Sequence, residues 1–220
     1  MDDDVEFVTN TKCRICNSDN LLPYLDLGIT PLANGLISKS ELNSKESTFP
    51  LSVSFCSDCC LSQLSVTVNP KKLFSNYLYM SSISKTFQNH CEIVSTKIIS
   101  DLSLGKSSLV VDIASNDGCL LKEFKKNEIN VLGIEPASNL AKIANDAGIE
   151  TLNEFWNEKT AKYIKDELGG ANLITGFNVF AHVDDVHSFI KNVKIALNEN
   201  GVLVLEVPYL VDFLVKHEFD

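Results

Sequence analysis

The sequence predicts an α/β fold of the Rossmann-like type, with a mostly parallel sheet, preceded by a small β-rich module. From residue 107 onwards, short apolar runs alternate with segments of helical periodicity, which is the pattern of a right-handed parallel sheet. The first of these runs, Leu109–Ile113, leads through a polar turn with a late glycine into a helix. Before residue 69, two Cys-x-x-Cys pairs instead stand among short stretches that alternate with period two.

The N-terminal module, residues 1–68, is predicted to bind zinc. Each Cys-x-x-Cys pair fits a tight knuckle with two converging thiolates, and four thiolates make a closed, structural tetrahedral site. Two separate knuckles or a redox pair are the alternatives, but a redox pair belongs at a helix start beside a βαβ unit. Cys60 is expected to be a bystander. The predicted ligands are Cys13, Cys16, Cys56 and Cys59.

Residues 69–105 are predicted to be a helical linker, because Asn69-Pro70 is a boundary signal and helical periodicity spans 84–102. An aromatic and hydroxyl cluster at 77–82 precedes the helix. Two interpretations stay open: the segment packs on both domains, or Tyr79 and its neighbouring serines face a ligand. The remaining polar or reactive side chains here and nearby are expected to pack between helices: His90, Cys91 and Cys119.

The turn after the first parallel strand is the predicted ligand site, because open α/β sheets bind nucleotide-like ligands at this edge. Asp112 lies near the end of the strand, and Glu135 follows the next strand at the position from which a carboxylate holds ribose hydroxyls. The turn has one glycine, Gly118, where a dinucleotide fingerprint has three, and Asp117 would repel a diphosphate. A cationic nucleoside such as S-adenosylmethionine (SAM) suits it better.

Four further strands are predicted near 130–135, 149–152, 172–177 and 201–207, with helices between them. The strand at 172–177 runs into Asn178 and His182, which the parallel topology brings to the carboxyl edge beside the first turn. His182 is either a helix-start residue or a functional imidazole, and its place at the switch point favours the functional interpretation.

Composition excludes several classes of protein. The net charge of −10 over 220 residues argues against a nucleic-acid partner, which would require a basic face. No apolar run approaches a membrane span, and the acidic start at residues 1–4 is unlike a secretory signal. Because four of the seven cysteines form Cys-x-x-Cys pairs rather than a disulfide framework, a reducing cytoplasm is expected.

Taken together, these motifs resemble the sugar C-methyltransferase family, which acts on nucleotide-linked keto-deoxysugars. The resemblance spans nearly the whole chain, and the combination is far more specific than any single motif. It rests on the paired Cys-x-x-Cys module and on five segments: 77–82 (YLYMSS), 115–118 (SNDG), 133–136 (GIEP), 178–183 (NVFAHV) and 206–209 (EVPY).

The resemblance implies a zinc domain, a SAM-binding Rossmann-like domain over 106–220 and a dTDP-type sugar substrate. It places Tyr79 and His182 near the reacting centre as the candidate catalytic residues. The candidate cofactor-binding residues that it implies are Asp112, Ala114, Ser115, Asn116, Gly118, Glu135, Pro136, Asn178 and Phe180.

Two positions depart from the family pattern. Ala114 replaces the first glycine of the loop, which is acceptable only if its φ angle is negative. The family continues into a Tyr-His-Glu-His motif and a third domain, whereas this sequence stops at Asp220, so it is expected to be a truncated, front portion. The alternatives are a SAM-binding module that needs a homo-oligomer or a complementing C-terminal chain, and a nicotinamide-dependent oxidoreductase.

Overall fold

A computed structural model describes residues 5–216, so the acidic start and the last four residues lie outside the described part. The chain divides into two compact units. One extends to Tyr77 and includes Asp184–Val186, and the other covers Leu78–Val183 together with the chain from His187 onwards. The three-part division at residues 68 and 105 stays a prediction.

The first unit is built from short antiparallel strands. Strands β2, β3 and β4 form one sheet, and β1 pairs with β5 in a separate two-stranded sheet. Ser65 separates β4 from β5, and its N–H donates to the carbonyl of Ser52. The elements are β1 (Phe7–Thr9), β2 (Leu21–Pro31), β3 (Thr48–Cys56), β4 (Ser62–Leu64), β5 (Val66–Val68) and α1 (Pro70–Phe74).

The second unit contains a five-stranded sheet with the order β10-β9-β6-β7-β8, and every pairing in it is parallel. Its strands are β6 (Leu109–Ile113), β7 (Asn130–Ile134), β8 (Thr151–Leu152), β9 (Ala171–Phe177) and β10 (Leu197–Glu206). Its helices are α2 (Lys85–Leu102), α3 (Cys119–Lys126), α4 (Ser138–Asp146), α5 (Glu158–Leu168), α6 (Val186–Ala196) and α7 (Leu210–Lys216).

Apolar residues on both faces of each central strand explain this layered packing. In β6, Val110 faces a cluster that includes residues of α2 and α3, whereas Val111 faces a cluster that includes residues of α5 and α6. A parallel strand buried on both faces needs a continuous apolar run, and the sequence of β6 supplies one. Cys91 and Cys119 are buried in the cluster around Val110, which confirms that they are packing residues.

The strand order changes direction between β6 and β9, because β7 and β8 lie on one side of β6 and β9 and β10 on the other. This is the topological switch point of an open parallel sheet. Strand β10 begins at Leu197, four residues before the predicted start, and its register shifts between Leu197 and Val202. No helix within residues 5–216 combines the length and apolarity that a membrane crossing requires.

Candidate active site and metal centre

The turn between β6 and α3 is formed by residues in the left-handed region of backbone space. Ala114 has φ +54°, Asn116 has φ +53° and Gly118 has φ +78°. The expectation that Ala114 keeps a negative φ is therefore wrong. Every second residue of the turn therefore has a positive φ. The backbone adopts the conformation typical of glycine even at the two positions that are not glycine. Left-handed backbone costs a residue with a Cβ about 1–2 kcal/mol.

Glu135 connects this turn to the next one. Its carboxylate accepts hydrogen bonds from the N–H of Asn116 (2.8 Å) and the N–H of Ala137 (2.7 Å). The side-chain amide of Asn153 donates to the carbonyls of Glu135 and Pro136, at 2.9 Å each. Burial raises the pKa of Glu135, although the two N–H donors oppose the shift. The predicted ribose-binding carboxylate is thus held at the edge of the first turn.

Asp112 lies beneath the turn and is only 4% exposed. Its Oδ1 accepts a hydrogen bond of 2.6 Å from the hydroxyl of Thr175 on β9. Burial and, to a smaller extent, the negative charge of Glu135 raise the pKa of Asp112 to about 7 in spite of that donor. The buried Asp112 therefore links β6 to β9 directly beneath the turn. Its predicted contact with SAM stays a prediction.

The side chains of Asn116 and Asp117 hold the segment that precedes α2. Asn116 accepts from the N–H of Ser81 (3.0 Å) and donates to the carbonyl of Tyr79 (3.1 Å), and Asp117 accepts from the N–H of Ser82 (3.1 Å). A turn of three glycines could make none of these bonds. The segment around Tyr79, which is itself 52% exposed, is therefore fastened to the loop by the residues that replace glycine.

The switch-point residues after β9 lie at the same carboxyl edge. Asn178 adopts φ +56°, and its N–H donates to the carbonyl of Glu206 at the end of β10 (2.8 Å). Phe180 packs edge-on against Phe189, with ring centroids 5.3 Å apart. His182 ends the short 3-10 turn Phe180–His182 and is exposed.

One side chain that sequence reasoning assigned to packing has a polar partner as well. His90 of α2 contacts the carboxylate of Glu206, with Nε2 and Oε2 2.5 Å apart. The two residues are 116 positions apart. No spacing or periodicity in the sequence could have paired them, because only the sheet order brings β10 to this helix.

The four predicted metal ligands meet in the first unit. Their sulfur atoms all lie within 4.8 Å of one another. Sγ of Cys13 is 3.4 Å from Sγ of Cys59, and Sγ of Cys16 is 3.6 Å from Sγ of Cys56. Cys60 is not a member of this cluster, as expected of a bystander.

The two Cys-x-x-Cys knuckles have the same hydrogen-bond pattern. In each, the residue after the second cysteine has a positive φ and donates its N–H to the carbonyl of the first cysteine, and the first cysteine donates its own N–H five residues ahead. These bonds run from Asn17 to Cys13 (2.9 Å), from Cys13 to Ser18 (2.8 Å), from Cys60 to Cys56 (2.8 Å) and from Cys56 to Leu61 (2.8 Å).

Backbone N–H groups also approach the sulfur atoms. Burial raises the pKa of the Cys13 thiol, but N–H donors of Cys16 and Ile15 outweigh it and bring the pKa to about 6. The pKa of Cys59 is raised to about 12: the N–H of Leu61 opposes this rise, while burial and the other three thiols cause it. Four thiols packed this closely favour a shared cation, which allows all of them to ionise.

Comparison with known proteins identifies both units. Residues 13–74 match a family described as a zinc binding domain, and residues 88–220 match a family described as a methyltransferase domain. The chain belongs to the methyltransferase-domain family. It is 34% identical over 209 residues to the C-methyltransferase NovU of Streptomyces niveus, and the alignment covers 95% of this chain. The chain spans about half the length of that curated relative, 50%.

One solved structure shares the fold of the methyltransferase domain. The PH0226 protein of Pyrococcus horikoshii superposes with a TM-score of 0.51 at 14% sequence identity. The superposition covers 63% of this chain and 62% of that one.

The residues of the methyltransferase domain fit the cofactor SAM, which carries a sulfonium and an ammonium group. Asp112, Asp117 and Glu135 gather at the turn, and no basic side chain within residues 5–216 forms an ion pair with them. Oδ1 of Asp117 and Oγ of Ser115 are buried and have no hydrogen-bond partner in the described part. An acidic, incompletely satisfied loop is complementary to a cationic ligand.

The cysteine cluster fits zinc. Zn–S bonds of about 2.3 Å in a tetrahedral site separate the sulfurs by about 3.8 Å, close to the two distances found here. Four thiolate ligands would complete the coordination sphere, which is the arrangement typical of structural zinc sites.

Proposed function

We propose that this chain is the zinc-containing and cofactor-binding portion of a SAM-dependent C-methyltransferase that acts on a dTDP-type nucleotide-linked keto-deoxysugar. One observation carries the proposal. Sequence motifs that are far apart in the chain meet at the carboxyl edge of one parallel sheet: the loop 115–118, Glu135, Asn178 and Glu206. These are motifs on which the resemblance to sugar C-methyltransferases rests.

The proposed cofactor contacts form two groups, one for the ribose of SAM and one for its methionine end. Glu135 has both carboxylate oxygens engaged by N–H donors, and each oxygen keeps a lone pair for a ribose hydroxyl. The loop faces the methionine end of SAM in this proposal, with Asp112 acting from beneath it. The further contacts proposed are Ala114, Ser115, Asn116, Gly118, Pro136, Asn178 and Phe180.

SAM supplies the methyl group when bound, and the chain must make the acceptor carbon nucleophilic. A proton next to a keto group has to be removed by a positioned base, and positioning of the two reactants supplies much of the acceleration. Tyr79 and His182 are the proposed residues near the reacting centre. Both side chains are exposed, which suits contact with a sugar that enters from solvent.

A second candidate is a SAM-binding module that methylates only with residues from elsewhere. It is favoured by the half-length match to the relative and by β10, which pairs only with β9 among the described residues. A strand edge with free N–H and C=O groups invites pairing with another segment. The partner in this candidate is a C-terminal segment, a complementing chain or a second copy. We also propose a cytoplasmic location and no nucleic-acid or membrane partner.

Titration calorimetry with SAM, followed by methyl transfer from labelled SAM to a dTDP-linked keto-deoxysugar, tests the proposal. Glu135→Gln is expected to weaken SAM binding about tenfold or more, because a hydrogen bond to a charged group contributes about 1.5–3 kcal/mol. Glu154→Gln, on the exposed part of the next loop, is the matched control and should leave affinity unchanged. Binding of NADH but not SAM would contradict the proposal, whereas SAM binding without methyl transfer would favour the second candidate.

A further inference from the structure

We propose that Asn116 and Asp117 are positioning residues for Tyr79. Their side chains hold the segment 79–82 on the cofactor loop, residues 114–118, so that this loop serves the acceptor side of the reaction as well as the cofactor. The inference rests on the proposed function, in which the loop binds SAM and Tyr79 lies near the reacting centre. It assigns the hold to side chains that a glycine-rich loop would lack.

The side chain of Asn116 is bonded to the segment at two points. Its amide nitrogen donates to the carbonyl of Tyr79 (3.1 Å), and its oxygen accepts from the N–H of Ser81 (3.0 Å). Together these bonds use both the donor and the acceptor of the amide, which fixes its orientation. They also restrict rotation of the backbone between Tyr79 and Ser81, and with it the direction in which the side chain of Tyr79 leaves the chain.

Asp117 extends the hold by one residue. Its Oδ2 accepts from the N–H of Ser82 (3.1 Å), and Asp117 is only 8% exposed, so water competes little for this bond. The N–H of Asp117 also donates to Oδ1 of Asn116 (2.9 Å). The two side chains therefore belong to one hydrogen-bonded network.

Backbone contacts do not duplicate this hold. Among the described residues, no hydrogen bond between two backbone groups joins the segment 79–82 to the cofactor loop. On its other side the segment is tied to α2, where the side-chain amide of Gln88 donates to the carbonyl of Ser82. The hydrogen bonds from the segment to the loop thus all come from the side chains of Asn116 and Asp117.

Asn116 also connects the segment to the proposed ribose site. Its backbone N–H donates to Oε2 of Glu135 (2.8 Å), while its side chain holds Tyr79 and Ser81. A ribose bound to the carboxylate of Glu135 restricts that carboxylate and, through it, Asn116. The segment is therefore held in the free chain and held more firmly once SAM is bound.

Amide hydrogen exchange measures this hold at single N–H groups, without methyl transfer. In Asn116→Gly, the amide of Ser81 is expected to exchange about tenfold faster or more than in the wild type. Glycine keeps the left-handed backbone and the N–H to Glu135 but has no side chain. Ala114→Gly is the matched control, because it places glycine at φ +54° in the same loop, close to the +53° of Asn116, and its exchange at Ser81 should equal that of the wild type.

Conservative variants distinguish positioning from general loosening. The carboxylate of Asn116→Asp keeps an acceptor, so exchange at Ser81 should stay slow although the donor to Tyr79 is lost. Asp117→Ala should speed exchange at Ser82 about tenfold, whereas Asp117→Asn keeps an acceptor and should not. A general loss of structure would speed exchange in all four variants.

The ring of Tyr79 reports whether the held segment lies beside the cofactor. NMR of protein with isotope-labelled tyrosine resolves the ring signals, and Tyr79→Phe assigns the signal of Tyr79. Saturating SAM should shift this signal in the wild type and slow exchange at Ser81 about threefold or more. In Asn116→Gly, SAM should leave exchange at Ser81 fast.

Several results would overturn the inference. Exchange at Ser81 in Asn116→Gly within about threefold of the wild type would do so, and so would equal acceleration in Ala114→Gly. If calorimetry shows that the wild type binds SAM while neither the Tyr79 signal nor exchange at Ser81 responds, the proposed function stands and the positioning role is wrong. If the wild type does not bind SAM, the proposed function fails and the inference fails with it.

Discussion

Ala114 shows how this loop differs from its glycine-rich counterparts. Ala114 has φ +54°, a conformation that is sterically unfavourable for a residue with a Cβ. The surrounding turn keeps Ala114 in this conformation. Asn116 adopts the same conformation, but asparagine tolerates it better, and its side chain makes three hydrogen bonds there, to Ser81, Tyr79 and Asp117. The strain is thus confined to one small residue.

Ala114→Gly is expected to leave the free energy of unfolding unchanged or to raise it by up to about 1 kcal/mol, because relief of strain offsets the added chain entropy. Ala147→Gly is the matched control at φ −81° and should lower the free energy of unfolding by about 0.5–1 kcal/mol. Urea titrations followed by the fluorescence of Trp156, the single tryptophan, measure both. Equal losses in the two variants would contradict this account of the loop.

The buried carboxyl of Asp112 predicts how stability depends on pH. In the folded chain its pKa is raised from 3.8 to about 7, so between these values the folded state keeps a proton that the unfolded state releases. The free energy of unfolding should therefore fall as pH rises through this window, by up to about 1.4 kcal/mol for each step of one pH unit, and level off at higher pH.

Asp112→Asn should flatten this dependence, because the amide has no proton to release. Urea unfolding of both proteins at pH 5, 6, 7 and 8, with Trp156 as the probe, makes the comparison. An equal pH dependence in the two proteins would show that the pKa of Asp112 is not raised in the folded chain.

At the scale of elements, the zinc knuckles depend on four side chains and not on the fifth cysteine beside them. Cys56→Ser is expected to retain less than about half an equivalent of zinc, since it leaves three thiolates where four close the site. Cys60→Ser should retain about one equivalent, because Cys60 supplies only a left-handed backbone position. Metal analysis of proteins purified without chelator measures this, and equal zinc in both variants would remove Cys56 from the ligand set.

The elements of the second unit could be predicted because their cores are continuous apolar runs. Strand β6 has the predicted bounds, and α2 begins one residue after the predicted start because Ser84 is its N-cap and accepts from the N–H of Phe87. The predicted start of strand β10 is four residues too late. The residues that follow Leu197, Asn198–Gly201, are polar and give no strand signal.

The site could be predicted only in part, for a physical reason. The position of a residue at the carboxyl edge follows from topology, so Glu135 and Asn178 could be located in advance. The partner of a side chain depends on packing between elements distant in sequence. The bonds of Asn116 and Asp117 to the segment at 79–82, and the contact of His90 with Glu206, belong to this second kind.

For the whole molecule, the two compact units predict separate responses to loss of metal. The ligands lie in the first unit, while Trp156 and both apolar clusters lie in the second. Excess chelator should therefore loosen the first unit, because small β-rich modules depend on their metal, and leave the second folded.

Limited proteolysis reports on the first unit, and Trp156 fluorescence with SAM titration reports on the second. Cys56→Ser is the control, because a chelator should change it little further. A fall in SAM affinity of more than about tenfold on chelation would show that the two units are energetically coupled.

The matching hydrogen bonds of the two knuckles imply that one short turn is used twice and that its copies are interchangeable. Asn17 and Cys60 occupy equivalent left-handed positions, yet asparagine is the residue that such a position prefers. The substitution Cys60→Asn would give both knuckles an asparagine at this left-handed position. It would also remove an exposed thiol, and with it a route to oxidative cross-linking during storage or labelling.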